Sequence, residues 1–213
     1  MAVVVVGGHT RNIGKTSVVA GLIAAMPEMR WSAFKITQFG HGVCSANGEP
    51  CDCETADHTI AISEERDRAN GTDSSRYLAA GAERSFWVRT RQGQLAEAMP
   101  RLRREIARSE NAIVESNSVL RFLQPDVLVC VLDAGTADFK PSAKRYLDRA
   151  DAIVLTGGEL DDAPWPDVSL KLVERARRFY GREGDYCSSE LAQFVREAVE
   201  RADVLSSAGR GVA

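Results

Sequence analysis

The residues Val3–Val6 form an unbroken β-branched run closed by Gly7-Gly8, the pattern of a strand buried on both faces of a parallel sheet. From Thr16 to Met26 the chain turns to Ala, Val, Leu and Ile and stops before Pro27, which predicts a helix. Further apolar runs follow at Ser32–Thr37, Ser85–Thr90, Ala112–Ser116, Asp126–Gly135 and Ala152–Gly158. Helical patterns separate most of them, at Ser74–Ala82, Gly93–Ser109, Lys140–Ala150 and Ser169–Gly181, and a closing helix is expected from Ser188 to Val204. Strands alternating with helices predict an α/β fold of three layers around a mostly parallel sheet. The stretch from about residue 38 to 71 breaks the alternation, being polar and small, and reads as a long insertion with one helix near Glu54–Arg66. A chain of 213 residues suits a single domain carrying that insertion. The last eight residues are expected to fray.

Composition narrows the partners. With 44% apolar and 27% charged residues and a formal net charge of −3, the chain offers no general attraction to nucleic acid or to an anionic membrane. The apolar N-terminal run is too short to span a bilayer and has no basic segment before it, so a cytoplasmic location is expected. There, the five cysteines are expected to be thiols, metal ligands or catalytic groups rather than disulfides.

Between the first strand and the first helix stands "GHTRNIGKT", Gly8 to Thr16. A strict G-x-x-x-x-G-K-[ST] pattern would need glycine at position 9, which is His9. Placing the first glycine at Gly8 gives a loop one residue longer in the same strand–loop–helix context. Its main-chain N–H groups and the helix N-terminus can surround phosphate oxygens, Lys15 can reach the β- and γ-phosphates, and the Thr16 hydroxyl can ligate Mg²⁺. The candidate nucleotide-contacting residues are Gly8, His9, Thr10, Arg11, Asn12, Ile13, Gly14, Lys15, Thr16 and Ser17. For His9, a phosphate contact and plain solvation in the loop are both open.

The longer loop resembles the G-T-x-T-x-V-G-K-T pattern of dethiobiotin synthetase and the related amidotransferase ligases of cobalamin synthesis. That resemblance implies a P-loop NTPase fold, ATP and Mg²⁺ as cofactors, and a homodimer. It also implies roles for Lys35 in "AFKIT", at the transferring phosphate, and for Glu115 in "IVESNS", at the metal; Asp57 is a looser candidate for a second Mg²⁺ carboxylate. Lys15, Lys35 and Glu115 are thus the candidate catalytic set, and Thr16, Glu115 and Asp57 the candidate Mg²⁺ ligands. The family's V-E-G-x-G-G glycines are replaced by Ser116, Asn117 and Ser118, a more polar lining that argues against dethiobiotin synthetase itself.

A second stretch, Gly71 to Ala82, resembles a G-K-D-S-x-R-x-x-x-A-G-A segment of the molybdopterin-guanine dinucleotide accessory protein. By that resemblance Asp73, Ser74 and Arg76 could form an anion or partner site. Both families belong to one superclass of P-loop proteins, together with the nickel metallochaperones and the nitrogenase iron protein. A guanine-specific member would show N-K-x-D or T-K-x-D after a late strand; "LTGGELDD" has no such lysine, which points to ATP.

The segment Gly40–His58 holds Cys44, Cys51 and Cys53 with His41 and His58. Three sulfurs and one nitrogen are a donor set for Zn²⁺; three thiolates could instead hold an iron–sulfur cluster whose fourth position is open or filled by a distant ligand, Cys187 being a candidate. Unliganded thiols are the third reading, although exposed thiol clusters are prone to oxidation. Cys130, inside a strand, reads as a small core residue. The arginines of Arg89–Arg108 read as the solvated face of a helix whose Leu95, Met99, Leu102 and Ile106 keep core spacing. Three functions are compatible with this text: an ATP-dependent enzyme that phosphorylates a small polar substrate or activates its carboxylate, a nucleotide-driven metallochaperone or cofactor-accessory protein, and a silent nucleotide-binding subunit.

Overall fold

A computed structural model describes residues 1–39, 60–182 and 184–209. Its centre is an eight-stranded sheet made of β1 (Val3–Gly8), β2 (Trp31–Phe39), β3 (Ile60–Glu64), β4 (Arg84–Arg91), β5 (Asn111–Glu115), β6 (Val127–Asp133), β7 (Ala152–Thr156) and β8 (Arg177–Tyr180). The strand order is β3-β4-β2-β5-β1-β6-β7-β8, with every pairing parallel except β3 with β4. The expected α/β class and three layers are therefore present. β1 sits between β5 and β6, where successive crossovers leave in opposite directions, so its carboxyl end opens into the crevice that such sheets use for ligands.

Side-chain alternation along the strands sorts the core into two layers. Val4, Val6, Ile113, Val129 and Val154 face α1 (Lys15–Ala25), α2 (Asp73–Ala79) and α5 (Ser189–Gly209), which contribute Leu22, Tyr77 and Val195. Val5, Phe34, Val114, Leu128 and Ile153 face the opposite way. They meet α3 (Leu95–Ala107), short 3₁₀ turns that supply Leu147, Leu160 and Val173, and Trp165 from the stretch between two of those turns. Cys130 is a buried member of this second layer, and burial pushes its thiol up to about 12, as fits an inert core residue.

Three expectations need correction. Residues 60–64 form a strand rather than the end of a helix: Ile60 and Ile62 alternate onto the core and pair with β4, a two-residue period that outweighs the helical pattern. The helix expected over Lys140–Ala150 shrinks to α4 (Pro141–Lys144), because Tyr146 leaves helical geometry and a 3₁₀ turn then buries Leu147. The pattern at Ser169–Gly181 divides into a 3₁₀ turn, Leu170–Val173, and the edge strand β8, whose Phe179 packs inward beside Phe194. Arg101, Arg103 and Arg104 on α3, and Arg108 at its C-cap, are exposed as expected, whereas Arg89 lies in β4, buried, with its guanidinium over Trp87. No helix of the described residues is long and apolar enough to cross a membrane.

Candidate functional site: a phosphate loop closed by a buried carboxylate

Gly7 and Gly8 end β1 beside the exit of β5. The Asn117 amide clamps the two, accepting from the Gly8 N–H at 2.9 Å and donating to the Gly8 carbonyl at 2.7 Å. A Cβ on Gly7 would lie 2.4 Å from the Asn117 oxygen, so this approach requires glycine. The loop then passes Ile13, which anchors it in the core, and turns into α1 through Gly14, whose φ of 90° is left-handed. The Tyr186 ring lies against Gly14 from outside.

The loop opens onto a cleft of about 630 Å³, within the roughly 300–1,000 Å³ usual for small-molecule sites. Of the ten loop residues proposed from sequence, Gly8, Thr10, Arg11, Asn12, Ile13, Gly14, Lys15, Thr16 and Ser17 line it. His9 does not, and its place is a correction to the phosphate-contact and solvated readings alike. It is fully buried against Phe139 and Trp165. Its Nε2 accepts the Asp133 N–H at 3.0 Å, which makes Nδ1 the protonated nitrogen, donating to the Asp138 carbonyl at 2.8 Å. The His9 carbonyl in turn accepts the Lys140 N–H, and the Thr10 hydroxyl donates to the Asp138 carboxylate. His9 thus ties the phosphate loop to the segment after β6 and carries Lys140 to the cleft wall.

Burial lowers the His9 pKa and outweighs the hydrogen bond to Asp138 and the charge of Asp133, which raise it; Lys15 adds a smaller lowering effect. The unfolded chain therefore binds a proton that the folded protein refuses, and stability falls as pH drops below the ordinary value of 6.5. Replacement by alanine is expected to cost about 2–4 kcal/mol in urea unfolding, through the cavity and the stranded Asp133 N–H, and to flatten this acid dependence.

The catalytic candidates Lys15, Lys35 and Glu115 come together. Lys35 and Glu115 are register partners on β2 and β5, and Glu115 is also opposite Val6 of β1. Lys35 Nζ lies 2.5 Å from Glu115 Oε1 and 2.7 Å from Asp73 Oδ2, while the Thr16 hydroxyl donates to Glu115 Oε2 at 2.9 Å. The Tyr77 hydroxyl donates to that same Oε2. Lys15 reaches back across the loop to the Thr10 carbonyl. Burial lowers its pKa from 10.5 to about 8, with Glu115 raising it and Lys35 and Lys140 lowering it.

The helix α2 supplies what the sequence left unassigned. Its start is fixed by Glu65, which accepts from the N–H groups of Arg66 and Asp67 and from the Thr72 and Ser74 hydroxyls. Burial alone would raise the Glu65 pKa, but hydrogen bonding from Asp67, Asn70, Ser74 and Arg66 prevails and holds it at about 2. Thr72 then caps the helix by accepting from the Ser75 N–H. Asp73 and Tyr77, four residues apart, share the face toward Lys35 and Glu115, and Arg76 donates to the Ser17 hydroxyl at 3.0 Å. Ser74, grouped from sequence with Asp73 and Arg76, points instead to Glu65. The one-face spacing of Asp73, Arg76 and Tyr77 was the available signal; what it faced was not.

Asp57, His41, Cys44, Cys51, Cys53 and His58 lie outside the described residues. Cys187 is half-buried beside Gly21 of α1, and burial pushes its thiol up to about 11. Among the described residues no three His, Cys, Asp or Glu side chains form a metal cluster. The oxygens of Thr16, Glu115 and Asp73 nevertheless suit Mg²⁺, which takes one or two carboxylates and completes its shell with phosphate and water.

The arrangement is a glycine-bearing loop between a central parallel strand and a helix N-terminus, at the edge of a cleft in an α/β sheet. No family model and no curated protein matches the sequence. Among solved structures the chain is similar to HypB from Helicobacter pylori in complex with nickel, at 14% identity over 93% of this chain and 87% of that one, TM-score 0.49. It is similar to LpxK from Aquifex aeolicus in complex with ATP, at 19% identity over 84% and 53%, TM-score 0.47. A third likeness is to a Zn(II)-bound triple mutant of the YjiA GTPase, at 15% identity over 90% and 60%, TM-score 0.43. Likenesses this distant assign no chemistry, which has to come from the residues of this chain.

Proposed function

We propose that the chain binds Mg-ATP in this cleft and either hydrolyses it or transfers its γ-phosphoryl group to a small polar substrate. The observation that carries the reading is the convergence of Lys15, Thr16, Lys35, Asp73 and Glu115 on one cleft at the carboxyl end of β1, where loop amides and the start of α1 favour an anion. Lys15 and the loop amides would hold the β- and γ-phosphates. Lys35, fixed between two carboxylates, would stand where charge develops on the transferring group. Such transfer asks chiefly for positioning and charge neutralisation. Thr16, Glu115 and Asp73 would hold Mg²⁺, which would neutralise phosphate charge there. ADP release from ATP and from GTP, assayed with magnesium, tests the reading. Turnover preferring ATP and reduced at least 100-fold by Lys35→Ala supports it, and turnover indifferent to Lys35 contradicts it.

A second reading, nucleotide-driven handling of a metal by the Cys/His segment, is favoured by one placement. Thr37 and Gln38 of β2 line the cleft, and the cysteine-bearing stretch follows directly after Phe39. Metal content of anaerobically purified wild-type protein, against a Cys44→Ser, Cys51→Ser, Cys53→Ser variant, decides it. Equal and negligible metal in both removes this alternative; metal affinity that changes with nucleotide supports it, since linkage is reciprocal.

A further inference from the structure

The nucleotide reading leaves Tyr77 without a task. Its side chain is fully buried between α1, α2 and the sheet, where phenylalanine would fill most of the same space. Its hydroxyl donates to Glu115 Oε2 and also meets the Thr16 side chain. Three elements therefore hold this carboxylate: Thr16 from the phosphate loop, Lys35 from β2 and Tyr77 from α2. Thr16 and Lys35 line the cleft, and both have work to do on a bound nucleotide; Tyr77 does not line it. When the other two donors turn to ligand, the phenol is the partner that stays.

We propose that Tyr77 is a positioning residue that fixes the Glu115 carboxylate for magnesium once Thr16 and Lys35 engage the nucleotide; this rests on the Mg-nucleotide reading above. A carboxylate on a strand end can swing about its side-chain torsions, and a metal gains affinity when a neighbouring donor removes that freedom. The i, i+4 spacing that brings Tyr77 to Glu115 also brings Asp73 to Lys35, so one helix sets both carboxylates of the site.

The test is calorimetry of ATP binding by the full chain, in EDTA and across a magnesium titration, with melting temperature measured alongside. In Tyr77→Phe the magnesium concentration for half-maximal enhancement of ATP affinity is expected to rise about tenfold. Metal-free ATP affinity is expected to stay within about twofold, and Tyr77→Phe added to Glu115→Gln to shift the magnesium requirement by less than about twofold more. An unchanged magnesium requirement, an equal loss with and without magnesium, or full additivity with Glu115→Gln would overturn the role of Tyr77. No ATP uptake by the wild-type protein would overturn the nucleotide reading instead, and this inference with it. If Tyr77→Phe does not fold, 4-aminophenylalanine and 4-methylphenylalanine at position 77 make the same comparison. The amine is expected to preserve the magnesium requirement and the methyl to raise it; identical behaviour of the two overturns the proposal.

Discussion

Replacing Lys15 by alanine is expected to weaken Mg-ATP binding roughly 100-fold or more, about 3 kcal/mol, because in the proposed site its ammonium would make charge-assisted contacts to two phosphates. Of the other cations lining the cleft, none starts from the loop's own junction with α1 as Lys15 does. The pH dependence carries a second signature. Lys15 in the folded protein gives up its proton near pH 8, while in the unfolded chain it keeps it to about 10.5. Through that window the folded state binds fewer protons, so the Lys15 contribution to stability rises with pH. Nucleotide affinity goes the other way, since only the protonated form attracts phosphate. Above pH 8 it should fall by up to about tenfold per pH unit, with proton uptake on binding. Calorimetry in buffers of different ionisation enthalpy measures that uptake, and Lys15→Ala should abolish it.

Removing the carboxylate of Glu115 is expected to have the largest effect on stability. It is buried, and Lys35, Thr16 and Tyr77 all direct donors at it. Glu115→Ala takes from Lys35 its buried partner and from the buried Tyr77 hydroxyl its carboxylate acceptor, at an expected cost of about 3–5 kcal/mol in urea unfolding. It should also erase the magnesium enhancement of nucleotide binding. Glu115→Gln keeps the shape and should lose less stability while still losing the magnesium effect. A variant that unfolds at the wild-type urea concentration would mean that the cluster holds together without its carboxylate.

The parts of this site that could be read from sequence are those in which local order carries the physics. A strand, a glycine turn and Gly14-Lys15-Thr16 at a helix start specify one another, and Lys35 and Glu115 stand in apolar runs that read as strands; that those two strands are neighbours is a fact of the sheet order. What brings Asp73 and Tyr77 to Glu115 is tertiary: α2 lies against α1 and β2, and nothing in its own text says so. The place of His9 is tertiary in the same way. Its partners Asp133, Asp138, Phe139 and Trp165 lie more than a hundred residues away in sequence, and only their convergence turns a polar loop residue into a buried strut. In β3 and β8 the deciding fact was the neighbouring strand. In β3 the two-residue alternation of Ile60 and Ile62 counts because β4 is there to pair with it, and β8 is likewise fixed by pairing with β7.

The central claim is that the cleft at the end of β1 is a triphosphate site. Calorimetric titration of the wild-type protein with ATP and with inorganic tripolyphosphate, each with and without magnesium, tests it most directly. Saturable uptake of ATP that magnesium strengthens, and that tripolyphosphate competes away, is the predicted result. Absence of uptake, or ATP binding that tripolyphosphate leaves untouched, would contradict it.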